Sequence, residues 1–328
     1  MARKAGVDMS LVSRVVNNDP KAYASVATRE RILQAVAELD YRPHSMARGL
    51  RMARAHTLGL LIPDLTNPMY ASIVRGVESQ AAELGYGVVF GSHAEGSPQS
   101  TFTKLLEEGR VDGLLVASAV LKDSYMRDVA QTGVGPVVLV NRRVRGISSS
   151  VVVDDDAGAA LAVDHLVSLG HRAITGVFGP ANIDTAKRRR AGFVRACSKM
   201  EIAAQLVEWS SWTAEAGYEA GLKAIGASQP PTAIFASSFM MGMGVLRAAH
   251  ELHVSIPEQL SVVALHDSEM AAYLLPQLTT ISMPTEKMGR EASKLIISMI
   301  EGQLGLHVVV KDKPQLIARS STAPLSRD

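Results

Sequence analysis

"TLGLLIPDLTNPMYASIVRGVESQAAELGYGVVFGS", residues 57–92, decides how the rest of the chain is read. It opens on a short apolar run, TLGLLI, stopped by Pro63 and Asp64. The stretch YASIVRGVESQAAELGY follows with the apolar spacing of an amphipathic helix, and a second apolar run, GVVFGS, closes it. Strands without polar alternation, separated by helices, belong to parallel sheets covered on both faces. The alternation continues through STFTKLLEEGR, DGLLVAS and PVVLVN. A second series begins at SVVVDD and runs through AITGVFG, PTAIFA and SVVALHD. Two such series predict two similar α/β lobes, with ligand in the crevice between them at the carboxyl ends of the strands.

The length of 328 residues suits two or three domains, and 47% hydrophobic with 20% charged residues is the composition of a soluble globular protein. A single cysteine, Cys197, excludes a disulfide framework and argues against a Cys-based metal site, so a cytoplasmic location is expected. No apolar run approaches the roughly 20 residues needed to span a bilayer, and the basic N-terminus lacks a signal-peptide core. Enzyme signatures are poor. GMGVLR has Arg247 where a dinucleotide loop needs its third glycine, HELH at 250–253 has the wrong spacing for a metalloprotease, and no G-x-S-x-G elbow occurs. Catalytic residues, metal and cofactor are therefore expected to be absent. His165 and His171 are expected to face solvent or cap a helix end.

Outward from this body, the first 56 residues carry 10 Lys/Arg against 5 Asp/Glu, a net of +5, while the remainder has a net of −3. A basic head on a mildly acidic body is the footprint of a nucleic-acid-binding module. Within it Gly6 marks a turn and Asp8 can N-cap a helix from Met9 to about Asn17. Val12, Val15 and Val16 form its buried stripe, leaving Met9, Ser10, Ser13, Arg14 and Asn17 outside it. A helix–turn–helix of this compactness places its second helix in the major groove of DNA. A third helix is expected to be capped by Thr28 and to bury Ile32, Leu33, Val36 and Leu39. Pro43 breaks it. Ser45–Met52 then reads either as a solvated basic linker or as a hinge helix that orders on DNA and pushes an apolar wedge into the minor groove.

AGVDMSLVSRVVNN, TRERILQAVAELDYRPHSMARGL and TLGLLIPDLTNPMY together resemble the lactose/galactose-repressor (LacI/GalR) family, in that order and at its spacing. The resemblance runs on through VDGLLV, PVVLVNR, VVVDDDAGAALAVDHLVSLGHRAI, EAGYEA, PTAIFA, LTTISMP and RSSTAP. It implies a helix-turn-helix head at 1–42, a hinge and linker at 43–56, and a two-lobed, periplasmic-binding-protein-like (type I) effector and dimerisation domain at 57–328. The N-lobe would hold about 57–147 and 277–305 and the C-lobe about 148–276 and 306–328, with crossings near 147–150 and 276–284. By family position Met9 and Ser10 read bases, while Ser13, Arg14 and Asn17 touch phosphates and further bases. Leu50 is the minor-groove lever, with Ala47 beside it. Leu11 replaces a usual threonine, and Gly49 lowers the helix propensity of the hinge by about 1 kcal/mol. The family has about five further residues ahead of this point, with a valine where Met1 stands. Either a valine codon was taken as the start and the native chain begins upstream, or the head is truncated.

Ligand residues are expected just after the strands: Tyr70, with Asp64 and Asn67, then Asn141 and Arg142, then Thr185. Asp64 and Asn67 could equally shape a turn, Asp267 could cap a helix, and Trp212 could belong to the core. The resemblance implies that Arg189 grips the effector, Trp212 stacks on it, and His266 and Asp267 form a polar clamp. Ser238 and Phe239 stand where the family shows Asn and Asp, and His266 replaces the first of a paired Asp-Asp. These changes remove partners for sugar hydroxyls and imply an effector less hydroxylated than a simple hexose, or one with an anionic group held by Arg189. The whole reads as a sequence-specific regulator, a repressor, binding a pseudo-palindromic double-stranded operator as a homodimer under control of a sugar-like or anionic metabolite, without membrane association. The alternative is a solute-binding protein of the same fold.

Overall fold

The computed structural model describes residues 1–16, 22–39, 54–64, 66–92, 100–117, 121–131 and 133–325. Two compact units divide at Ala55 and His56. In the first, α1 (Ala2–Ala5) ends at Gly6, whose φ of 63° is the left-handed conformation that a helix stop favours. Helix α2 (Met9–Val16) begins where Asp8 Oδ1 accepts the Ser10 amide at 2.7 Å. Helix α3 (Val26–Glu38) is capped by Ser25, not Thr28: the Ser25 hydroxyl accepts the Thr28 amide at 3.2 Å. Val12 and Val15 close on Ala5, Ile32 and Ala35, with Met1 and Leu11 packed against them. The expected face of α3 was therefore too wide: Leu33 and Leu39 stay half exposed, while Ala35 is buried. Asn17, Ala47, Gly49, Leu50 and the expected hinge helix lie outside the described residues.

The second unit is built on two six-stranded sheets. The first comprises β1 (Thr57–Ile62), β2 (Gly87–Ser92), β3 (Gly113–Val116), β4 (Val137–Val140), β5 (Ser150–Val152) and, from far along the chain, β11 (His307–Val309). Helices α4 (Pro68–Glu83), α5 (Ser100–Glu107) and α6 (Asp123–Gln131) alternate with these strands, all of which run parallel. The second sheet holds β6 (Ile174–Phe178), β7 (Gln205–Glu208), β8 (Ala233–Ala236), β9 (Ser261–Leu265), β10 (Thr279–Ser282) and β12 (Gln315–Ile317). Its helices are α7 (Asp155–Ser168), α8 (Asp184–Lys199), α9 (Ala214–Ile225) and α10 (Phe239–Glu251). Among the described strands only β12 breaks the parallel rule, pairing antiparallel to β10. Every residue of β3, β4, β6, β8 and β9 is buried, as continuous apolar runs dictate.

Strand pairing moves the expected lobe limits. SVVVDD was expected to open the second series, yet Ser150 and Val151 pair with Leu139 and Val140 in the first sheet, so the chain crosses after Val152 rather than at 147–150. Strand β10 belongs to the second sheet and helix α11 (Thr285–Ile300) lies on β3, β4 and β5, so the second crossing falls at 283–284, inside the expected 276–284, and the first lobe resumes there rather than at 277. A third crossing falls between β11 and β12, whereas residues 306 onward were expected in the C-lobe. Each lobe repeats the strand order 2-1-3-4-5, and in such sheets ligand sites form outside the carboxyl ends, beside the point where the order reverses.

His171 was expected to face solvent or cap a helix end, but its ring is buried, with Nδ1 3.0 Å from Thr232 Oγ1 and Nε2 2.9 Å from Ser261 Oγ. His165 is half-buried against Thr322. Helices α4 and α11 press together backbone to backbone. A Cβ on Gly76 would overlap the Glu286 carbonyl, and one on Gly289 would overlap the Ile73 carbonyl. Both obstacles are main chain, so neither can turn aside. Gly76→Ala should therefore destabilise the protein by about 1–3 kcal/mol, read as a lower urea midpoint at unchanged slope; an unchanged midpoint would show that the helix pair can separate at little cost.

Candidate functional site

The strand ends of the two lobes face one another around a cavity with about 490 Å³ of space free of protein atoms, part of it open to solvent. In the first lobe, Asn67 caps α4 by accepting the Met69 amide at 3.1 Å, which turns Met69 and Tyr70 toward the cavity. Asp64 accepts the Thr66 amide at 2.7 Å, so here it shapes the loop. Asn141 follows β4 at a φ of 62°, in the left-handed region that asparagine enters more readily than most side chains. Its carbonyl accepts Thr185 Oγ1 at 2.6 Å, while its own Oδ1 is buried without a partner. Arg142, also at the cavity, donates to the Leu121 carbonyl at 3.0 Å and to Asp123 at 2.5 Å.

From the second lobe, Arg189 enters on α8 and is buried. Its Nε donates to Asp155 Oδ1 at 2.9 Å, its Nη1 to the Ser237 carbonyl at 2.9 Å, and its Nη2 lies 2.7 Å from His266 Nε2. A guanidinium has no acceptor, so His266 Nε2 must accept and the neutral ring carries its proton on Nδ1. Burial, reinforced by the Arg189 charge, holds the His266 pKa well below 6.5. Nδ1 is buried without a partner. Burial lowers Arg189 to about 10, which leaves it protonated at neutral pH. Burial likewise raises Tyr70 above its ordinary 10, keeping it a neutral phenol.

Trp212 lies on the backbone of Gly179, where a Cβ would overlap the indole, and its Nε1 is buried without a partner. Ser238 caps α10, accepting the Met241 amide at 3.2 Å, and Phe239 forms a buried wall. Tyr70, Asn141, Thr185, Arg189, Trp212, Ser238 and His266 thus converge on one cavity. Asp267 does not. It accepts Thr280 Oγ1 at 2.5 Å and Arg319 Nη2 at 2.9 Å, and it lines a neighbouring cavity, so its polar capacity serves β10 and the strand-end loops. Met69, which reads as ordinary helix, and Asp155 are participants that the sequence pattern does not single out. The signal for Asp155 was the run Asp154–Asp156, since one N-cap needs one aspartate and Asp154 fills it by accepting the Ala157 amide at 3.0 Å.

On the head, Met9 is 76% exposed, Ser10 and Arg14 are exposed, and Ser13 is half-buried, so α2 presents one polar face beyond its valine stripe. Among the described residues no helix is long and apolar enough to cross a membrane, and no His/Cys/Asp/Glu group is arranged to hold a metal ion.

Comparison with known proteins places this geometry. Residues 1–44 match the model of bacterial regulatory proteins of the lacI family, and residues 163–322 match a periplasmic binding protein-like domain. The chain is 32% identical to the HTH-type transcriptional repressor CytR of Escherichia coli (strain K12), over 99% of this chain and 96% of that one. It is 30% identical to the HTH-type transcriptional repressor PurR of Erwinia tasmaniensis, over 98% and 96%. Among solved structures, a lac repressor dimer bound to operator and the anti-inducer ONPF superposes with a TM-score of 0.83 at 26% identity, covering 98% of this chain and 97% of that one. A LacI family transcriptional regulator from Mycobacterium smegmatis gives a TM-score of 0.77 at 30% identity, covering 82% and 100%. A helix-turn-helix unit and a two-lobed effector-binding domain in one chain define a DNA-binding transcriptional regulator. The chain belongs to the lacI family of bacterial regulatory proteins.

Histidines withdrawn from water set a pH dependence. His165, His171 and His266 all have pKa values lowered by burial. Below the unfolded value of about 6.5 the unfolded chain binds protons that the folded one refuses, so stability is full above that pH and is lost as pH falls. Thermal melts should therefore drop between pH 7 and pH 5.5, and His266→Gln should flatten the drop. An unaltered slope in that variant would mean that His266 is not held neutral.

Proposed function

We propose that the chain is a repressor that binds a pseudo-palindromic operator as a cytoplasmic homodimer and is controlled by a small molecule held between its lobes. The observation that carries the effector reading is the convergence of Arg189, Trp212, Tyr70 and Asn141 on one interlobe cavity, with three polar atoms there lacking protein partners. Asn141 Oδ1 can accept one hydrogen bond, and Trp212 Nε1 and His266 Nδ1 can each donate one. Buried polar atoms are costly when unmet, so a ligand that meets them gains affinity and specificity. Arg189 and Arg142 are each already paired with a carboxylate, and Met69 and Phe239 supply apolar walls. This favours a neutral, sparsely hydroxylated effector over an anionic one. Calorimetric titration tests the point: tight binding of an unmodified hexose or of a sugar phosphate would overturn it.

For DNA, Met9, Ser10, Ser13 and Arg14 would read and grip a half-site, with Asn17, Ala47 and Leu50 as further contacts. Effector that binds the two lobe arrangements with different affinity would shift operator binding by roughly 1–3 kcal/mol. Selection of genomic fragments by the full chain should enrich a near-palindrome. Arg14→Ala should weaken binding to it by about 1–3 kcal/mol if it touches a base, and unchanged affinity would remove Arg14 from the contacts. Trp212→Ala should abolish the effector response while operator affinity stays native; a normal response would return Trp212 to a packing role.

A further inference from the structure

The arginine in the effector cavity does not stand alone. Asp155, whose side chain is fully buried, opens α7 just after the first crossing between lobes. One of its carboxylate oxygens accepts Arg189 Nε at 2.9 Å, and the other accepts Arg188 Nη1. Arg188 then reaches the opposite lobe, where its Nη2 donates to the Asn141 carbonyl at 3.3 Å. It also donates through Nε to Asp184 at 3.0 Å. Thr185 donates to the same Asn141 carbonyl at 2.6 Å, and Asp184 accepts the Arg143 amide at 2.9 Å.

These contacts have a simple geometry. Asp184, Thr185, Arg188 and Arg189 occupy the first turns of α8 in the second lobe, and Asn141–Arg143 follow β4 in the first. One stretch of helix thus grips one short segment of the other lobe by its main chain. Burial, together with the neighbouring Arg189 and Arg143 charges, lowers Arg188 to about 9, so it remains a cation at neutral pH and needs its carboxylates. A guanidinium can meet a carboxylate and a carbonyl at once because its donors form a rigid fork; an ammonium cannot hold both in the same way.

We propose that Asp155 and Arg188 form an interlobe latch that positions Arg189 in the cavity and holds the first lobe at Asn141 before any ligand arrives. Asp155 and Arg188 are positioning residues, and they act through Arg189 and the Asn141 backbone. The latch bears on regulation through the reading of this cavity as the effector site. A ligand that contacts Arg189 or Asn141 then either reinforces the latch or competes with it, and the lobe arrangement follows.

The test needs no effector. Spin labels on introduced cysteines at Thr66 and Glu215, on opposite sides of the outer cleft, report the interlobe distance in the full ligand-free chain. Cys197 is buried, and dilution with unlabelled chain removes distances between protomers. The native protein should give one narrow distance. Arg188→Met should lengthen and broaden it, Thr185→Val should move it the same way, and Arg188→Lys should fall between. A native distribution in Arg188→Met with intact thermal unfolding overturns the latch; if that variant does not fold, Thr185→Val decides on the same criterion. The effector reading fails separately: a native latch with no ligand-dependent change in operator binding would overturn that reading alone.

Discussion

A guanidinium buried among strand ends cannot remain there uncompensated, since removing an ion from water costs several kcal/mol even after the protein relaxes. Arg189 is such a group, and much of the domain around it is arranged to answer its charge and its donors. Asp155 neutralises it, the Ser237 carbonyl and His266 accept from it, and each acceptor comes from a different strand end of the second lobe or from the crossing. Burial, with the arginine's charge added to it, holds His266 neutral, and that fixes which ring nitrogen faces the arginine and which is left without a protein partner. The polar lining of the cavity is thereby set by one buried charge and the short list of groups able to live beside it.

The same economy extends to the contacts between the lobes. Asp155 serves two arginines, so no second buried carboxylate is needed on α7. Arg188 turns that shared charge toward the first lobe, and the backbone of Asn141, held at positive φ, presents its carbonyl to it. An arrangement in which one carbonyl accepts from both Thr185 and Arg188 has few near-equivalent alternatives. It therefore defines this lobe arrangement narrowly.

Much of this was legible in the residues, and the failures have a common cause. Tyr70, Asn141 and Thr185 could be placed at one cavity because each lies beyond an apolar run that reads as a strand, and Arg189 because of the family resemblance. Asp267 also follows such a run, but Thr280 and Arg319, distant in sequence, take up its oxygens. Burial of His171 depends on Thr232 and Ser261 in the same way. The sheet membership of β5 was invisible because its composition suits either sheet, and only pairing with Leu139 and Val140 decides it. Thr28 lost its expected cap role to Ser25, three residues earlier, which shows that the hydroxyl three positions upstream of a candidate also needs weighing.

The interlocking of the glycine-lined helix pair has a consequence for the order in which the molecule can be made. Helix α4 of the first lobe finds its backbone partner, α11, only at residues 285–300, and the edge strand β11 comes later still. Domains generally fold as units while the chain is synthesised, N-terminal part first. Here the first lobe cannot finish in that sequence: β1 to β5 leave the ribosome well before the helix that covers them. The second lobe must be nearly complete while the first still exposes an apolar face, so a growing chain that pauses between residues 152 and 285 would be at its most prone to aggregate.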